Sequence, residues 1–285
     1  MIMVCNRCTN EDDCPVAEFK DPGVEFINPT NKLRFDKIKQ GILEDCWFVA
    51  SLSSYLFIKW PDAPALVNGK YNFVFCDGKK TKKIATDGKV CVDKNTNQIY
   101  GAKEIDTNTG ITYSWPAVYE KAYAAFLENS DPPSLLTYLN FNRSPFPCLS
   151  AISCAKKYDS LTSDFDTGAD IFNEIQKRTR LMDDGASEEV LVPYVATTNV
   201  PSFPGLESRH SYSLLGLFQS EGKQYIILRD PLMKKILQSP VITWKYQDNS
   251  GIFTRVYCPS DEGIFAISVE DFKNNFEGFG YASVQ

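Results

Sequence analysis

Nine cysteines and a single histidine set the chemistry open to this 285-residue chain. A nucleophilic thiol needs a base beside it, and His210 is the only imidazole on offer. Cys46 stands where the polar stretch 40–45 meets the apolar run Trp47-Phe48-Val49-Ala50. Asp45 reads as a cap and Cys46 as the opening residue of a buried helix. The partial positive charge at a helix N-terminus favours thiolate over thiol there. His210 opens the alternating run Ser211-Tyr212-Ser213-Leu214-Leu215-Gly216, which turns at 220–223 into 224–229 and Asp230. An antiparallel hairpin would bring His210 and Asp230 to the same end of adjacent strands. The carboxylate would then fix the imidazole tautomer and stabilise its protonated form. Gln40, six residues before Cys46, is spaced to aim an amide N–H at a developing oxyanion beside the Cys46 backbone N–H.

The rest of the chain must hold these groups together. It is 43% hydrophobic and 13% aromatic, enough for packed cores and too much for general disorder. Thirty basic against 36 acidic side chains leave a net charge of −6, which argues against a nucleic-acid binder. The longest apolar run, 46–58, is interrupted by Ser51, Ser53 and Ser54 and falls short of the roughly 18 to 20 residues a bilayer span needs. Residues 1–7 lack a signal-peptide pattern. The expectation is therefore a cytoplasmic protein with free thiols, an odd cysteine count leaving at least one unpaired in any case. Cys5, Cys8 and Cys14 lack a fourth zinc ligand nearby and read as surface cysteines of a leader.

Along the chain, residues 1–30 form a polar leader punctuated by Pro15, Pro22 and Pro29. Runs 71–76, 82–85 and 89–92 read as strands, with Asp77-Gly78 and Asp87-Gly88 as hairpin turns. Pro116 opens a helix through Leu127. The stretch 140–147, with two prolines and no periodicity, is the expected boundary. A helix at 171–180 follows, then strands at 189–195, 211–218, 224–229 and 263–269. A helix-rich first half and sheet-rich second half imply two subdomains with a cleft between them. Asp93, Asn95, Asn97 and Glu104 imitate a calcium-binding EF-hand loop, but Gln98 occupies the position where its sharp turn needs glycine, so a hairpin is the better reading.

The segment Gln40-Gly41-Ile42-Leu43-Glu44-Asp45-Cys46-Trp47 resembles the catalytic-cysteine motif of the calpain family of papain-like cysteine proteases. Phe19-Lys20-Asp21-Pro22 is similar to the family's opening segment. Residues 115–124, Trp-Pro-Ala-Val-Tyr-Glu-Lys-Ala-Tyr-Ala, match a specific helix motif. His210-Ser211-Tyr212-Ser213 resembles the histidine strand, and 261–272 the closing strand and turn. The matches run in family order from Phe19 to the end of the chain. The resemblance implies an α+β, papain-like fold: a leader at 1–30, a helix-rich cysteine subdomain at 31–150 and a sheet-rich histidine subdomain at 151–285. It implies Cys46 as nucleophile, His210 as general base, Gln40 in the oxyanion hole and Asp230 as third member.

This chain departs from the family at several points. Asp230 and Leu232 stand where the family has asparagine and tryptophan, and Glu44 where it has glycine. The family binds calcium to align its halves, yet here Lys37 and Tyr113 replace first-half carboxylates, with Asp36 one place off. Glu262 and Asp248 are scattered in the second half. The expectation is no cofactor, calcium dependence being doubtful, and no module beyond the protease core. Protein or peptide substrates are implied, with no nucleic acid and an open oligomeric state. The leading reading is an intracellular endopeptidase. A catalytically weak or inactive calpain-like protein acting as a peptide-binding or scaffold module and a thiol acyltransferase are the alternatives.

Overall fold

The computed structural model describes residues 17–27, 32–78, 80–106, 109–130, 132–134, 138, 144–162, 165–248 and 250–283. The Cys5, Cys8 and Cys14 cluster lies outside them. Strands β1 (Ala17–Lys20) and β2 (Ile38–Lys39) precede helix α1 (Cys46–Lys59). Strands β3 (Leu66–Val67), β4 (Lys70–Asp77) and β5 (Lys80–Thr86) then form an antiparallel sheet. β6 (Val90–Asp93) pairs with β1, while β7 (Lys103–Ile105) lies between β2 and β8 (Thr112–Tyr113). Helix α2 (Trp115–Glu128) carries Pro116 in its first turn and ends on Asn129 at φ 62°, in the left-handed region asparagine tolerates.

Two expectations change here. Ala17–Lys20, read as leader, is a paired strand with Phe19 opposite Cys91. Asp87-Gly88 is not a hairpin turn, because β6 leaves β5 for β1. The cause is Lys121 of α2: its buried ammonium donates to Asp87 Oδ1 at 2.5 Å and to the Asp87 and Lys89 carbonyls at 2.9 and 2.6 Å. In the EF-hand look-alike, Asp93 Oδ1 accepts from the Asn95 and Thr96 amides at 2.8 Å, closing a turn as expected.

The second half continues with α3 (Pro145–Ser153), β9 (Lys157–Thr162), α4 (Gly168–Gln176) and β10 (Thr179–Leu181). The long strands β11 (Ser187–Thr198), β12 (Ser211–Ser220) and β13 (Lys223–Arg229) follow. A separate hairpin joins β14 (Ile242–Gln247) to β15 (Phe253–Cys258). The chain closes through β16 (Ile264–Ser268), α5 (Val269–Asn275) and β17 (Phe276–Ser283). The main sheet is antiparallel in the order β16-β13-β12-β11-β17-β9, with β10 on β11. Of the expected boundary at 140–147, residues 140–143 lie outside the described residues, and Pro145–Pro147 form the first turn of α3, where Pro145 suits a helix start. The helix expected to reach residue 180 stops at Gln176, since Thr179–Leu181 pair with β11.

Helix α1 has apolar residues almost all round, the pattern of a fully buried helix. Its three interrupting serines are buried and face outward to partners. Ser51 Oγ donates to the Pro145 carbonyl at 3.0 Å, and Ser54 Oγ accepts the Tyr194 amide at 2.7 Å. From the sheet, Ser213 Oγ donates to the Ala50 carbonyl at 2.8 Å. One continuous apolar cluster joins Phe48 and Leu52 of α1 to Tyr212 and Leu214 of β12. The expectation of free thiols is corrected at Cys76 and Cys154, which form a disulfide across 78 residues between β4 and the end of α3. Cys46, Cys148 and Cys258 are free thiols.

Candidate active site

The β12–β13 hairpin places His210 where its spacing implied. Ser213 lies opposite Arg229, so the residues just beyond the paired region meet at one end. His210 Nε2 donates to Asp230 Oδ1 at 2.9 Å, with both side chains buried. Backbone contacts with Thr198 hold the residue itself: the His210 amide donates to Thr198 Oγ1 at 3.1 Å, and its carbonyl accepts the Thr198 amide at 2.9 Å. The Tyr212 ring meets the imidazole edge-on at 4.9 Å between centroids. Asp230 Oδ1 also accepts the Leu232 amide at 2.9 Å, while Oδ2 is buried without a donor.

Cys46 opens α1, partly exposed, and interacts electrostatically with His210. Nε2 being taken by Asp230, Nδ1 is the ring nitrogen left for the thiol. Burial works to lower the His210 pKa, but the Asp230 and Cys46 contacts outweigh it and raise it to about 9. The imidazole therefore holds its proton at neutral pH. That is the charge state that stabilises a thiolate beside it.

Gln40 lies close by, and the Leu43 carbonyl receives its Nε2 at 2.6 Å. An amide nitrogen carries two N–H groups, so one remains for an oxyanion. Its Oε1 is buried without a donor. The loop is pinned from below: Ile42 and Leu43 amides donate to the Tyr100 carbonyl at 2.7 and 3.3 Å. A Cβ at position 41 would fall 2.1 Å from the Gly101 and Tyr100 carbonyl oxygens, which is why Gly41 admits the approach.

Asp45 corrects the sequence reading. It stands at the N-cap position but makes no side-chain cap bond. It is fully buried against Glu120 of α2, whose carboxylate accepts the Ala102 amide at 2.9 Å and the Tyr138 hydroxyl at 3.1 Å. Burial first, then the mutual repulsion of the pair, pushes the Glu120 pKa well up; burial also raises that of Asp45. Burial and the neighbouring carboxyl thus both favour the protonated form of Glu120, while neither Asp45 oxygen meets a donor. Sequence reasoning missed Glu120 and the buried Arg229. The available signals were a glutamate on the inner face of a helix and an arginine ending an apolar strand.

The residues at the expected calcium positions do not fit that ion. Lys37 pairs with Glu262 at 3.0 Å, Asp36 with Arg34 at 2.7 Å, and Tyr113 is buried. A hard cation needs six to eight oxygens at about 2.3 to 2.6 Å. Here an ammonium occupies the place and consumes one of the carboxylates.

Residues 17–281 match the model of the calpain family of cysteine proteases. The chain belongs to that family. It is 23% identical over 303 residues to a thiol protease of Porphyromonas gingivalis (strain ATCC BAA-308 / W83). The match covers 98% of this chain and 61% of that relative's length. Among solved structures, digestive procathepsin L 3 of Tenebrio molitor larval midgut matches at 9% identity and a TM-score of 0.30, over 93% of this chain and 75% of that one. A structure concerned with the mite allergens Blo t 1 and Der p 1 matches at 14% identity and a TM-score of 0.30, over 92% and 75%. No helix among the described residues is long and apolar enough to cross a membrane.

Proposed function

We propose that this chain is an endopeptidase that cleaves peptide bonds through a thioester on Cys46. The observation that carries the reading is His210, held by Asp230 at 2.9 Å on one nitrogen and interacting with Cys46 strongly enough to help raise its pKa. The thiolate adds to the scissile carbonyl carbon. The resulting oxyanion takes hydrogen bonds from the Cys46 amide and the second N–H of Gln40. Collapse breaks the C–N bond as His210 gives its proton to the leaving amine. His210 then takes a proton from water, whose oxygen attacks the thioester carbonyl; the C–S bond breaks, releasing the carboxylic acid product and returning the Cys46 thiolate beside protonated His210. Asp230 keeps the imidazole in the required tautomer throughout. In this scheme residues 31–150 supply the thiol and oxyanion groups, and residues 151–285 the histidine and aspartate.

One observation favours the weaker-enzyme alternative, in which the cleft mainly binds peptides. Gln40 spends one N–H on Leu43, and Glu44 places an exposed carboxylate two residues from the thiol. Labelling with a thiol-reactive epoxide followed by a peptide-cleavage assay separates the readings. Label on Cys46 with cleavage supports the endopeptidase; label without cleavage favours acyl transfer or a very narrow specificity; no label favours the scaffold.

The cytoplasmic setting expected from the sequence stands against the Cys76–Cys154 bond, which belongs to oxidising compartments. Of the two, the disulfide favours the oxidising one. Thiol counting on protein taken directly from cells decides between them.

A further inference from the structure

Three consecutive residues, Arg229, Asp230 and Pro231, bond the His210 ring, the Gln40 backbone and the helix that Cys46 opens. Asp230 holds His210. The Pro231 carbonyl accepts the Gln40 amide at 2.8 Å. Between sheet and helix lies the Arg229 side chain, completely buried. Its Nη1 donates to Ser53 Oγ at 3.0 Å, two turns along α1 from Cys46. Its Nη2 donates to the Ile38 carbonyl and, at 3.4 Å, to that of Asp36. Its own backbone is fixed in β13, opposite Ser213 on one side and Ile264 on the other.

This is an expensive way to fill a core position. Nε finds no acceptor, and the partners of the other nitrogens are a hydroxyl and carbonyls, with no carboxylate in direct contact. Burial lowers its pKa to about 10, so the cation persists at neutral pH. An apolar side chain of similar volume would often be as stable or more so. What it would lack is a rigid fork that bonds a helix and a strand at once.

We propose that Arg229 is a positioning residue: its guanidinium, bonded to Ser53 and to the carbonyls of Ile38 and Asp36, sets the registration of His210 and Asp230 against Cys46. The inference rests on the endopeptidase reading for its consequence in turnover, but not for its geometry. Lysine at 229 keeps the charge and loses the fork, so it isolates registration from electrostatics.

Because His210 is the only histidine, its imidazole gives one histidine resonance to follow by NMR. In the unmodified chain the midpoint is expected at about 9. In Arg229→Lys the thiol drifts from the ring, and the midpoint falls by about one unit or more toward the ordinary 6.5. Peptide turnover then falls about 100-fold in kcat with KM little changed. A midpoint unmoved in a cooperatively melting Arg229→Lys protein overturns the proposal. If that variant does not fold, Ser53→Ala, which removes one acceptor, takes its place: a fall of about half a unit supports the proposal and an unchanged midpoint overturns it. Should the unmodified chain cleave nothing while the midpoint still responds, the endopeptidase reading fails and the positioning role stands.

Discussion

Asp45 and Asp230 are both fully withdrawn from water, and both flank the same chemistry. Asp230 meets an imidazole N–H and the Leu232 amide. Asp45 meets another carboxyl, that of Glu120. The first arrangement raises the pKa of the partner, bringing His210 to about 9. The second raises the pKa of the carboxyls themselves. Burial alone does not decide charge; the neighbour does. Cys46 thus has a cation on its histidine side, while the carboxyl pair beneath its helix retains a proton that reduces the negative charge there.

The largest break in this contrast comes from deleting what only one side has. Cys46→Ala or His210→Ala should each lower cleavage by about 1,000-fold or more while the fold melts cooperatively. Either variant keeping near-normal turnover on a peptide substrate removes the assignment.

The carboxyl side is tested by stability. Glu120→Ala leaves Asp45 buried alone and takes the acceptor from Ala102 and Tyr138, at a cost of about 3 kcal/mol in denaturant unfolding. Glu120→Gln keeps the shape and removes one of the two raised carboxyls. Both pKa values are raised by folding, so the pair's contribution is complete below the ordinary carboxylate range and is lost as pH rises through the folded values, for Asp45 about 6. The stability of Glu120→Gln relative to the unmodified chain should therefore improve from pH 4 to pH 8. A difference that stays flat shows that the Glu120 pKa is not raised by folding.

Asp230→Asn should be milder, about tenfold or less in turnover, since an acceptor remains. The His210 midpoint should drop below 9. A raised histidine pKa stabilises the fold fully below about 6.5 and loses that contribution as pH climbs through 9, so the Asn variant should show a shallower loss of Tm between those values. Total loss of activity would mean that the negative charge itself is needed. The smallest effect concerns calcium: excess chelator and millimolar calcium should give nearly equal activity, because Lys37 and Glu262 already join segment 35–40 to the loop before β16. A rise of about 100-fold with calcium, 2.7 kcal/mol, would break this expectation.

Much of the site was legible because its signals are local. A cysteine at a polar-to-apolar junction and a histidine opening an alternating strand each follow from a few neighbouring residues. The hairpin arithmetic from 210 to 230 fixed which end His210 and Asp230 share. Asp45 was misread because capping is a local rule, and Glu120, 75 positions away, competes for the same carboxyl. The Asp87-Gly88 turn failed for the same reason: Lys121, on a later helix, decides which way the chain leaves.

The serines of α1 show the division most plainly. From sequence, Ser51, Ser53 and Ser54 only interrupt an apolar run and exclude a membrane span. In the fold, all three are buried and bonded to Pro145, Arg229 and Tyr194. The sequence by itself picked out which side chains could do thiol chemistry and where several of the helices and strands that carry them lie, the α1 and α2 helices and the β12–β13 hairpin among them. Only the tertiary structure decided which buried polar groups would meet, that Cys76 would find Cys154, and that Arg229 would register the histidine strand against the nucleophile helix. The physical reason is range. Periodicity and turn chemistry act over a few residues, whereas a buried polar group must find its partner wherever packing places one.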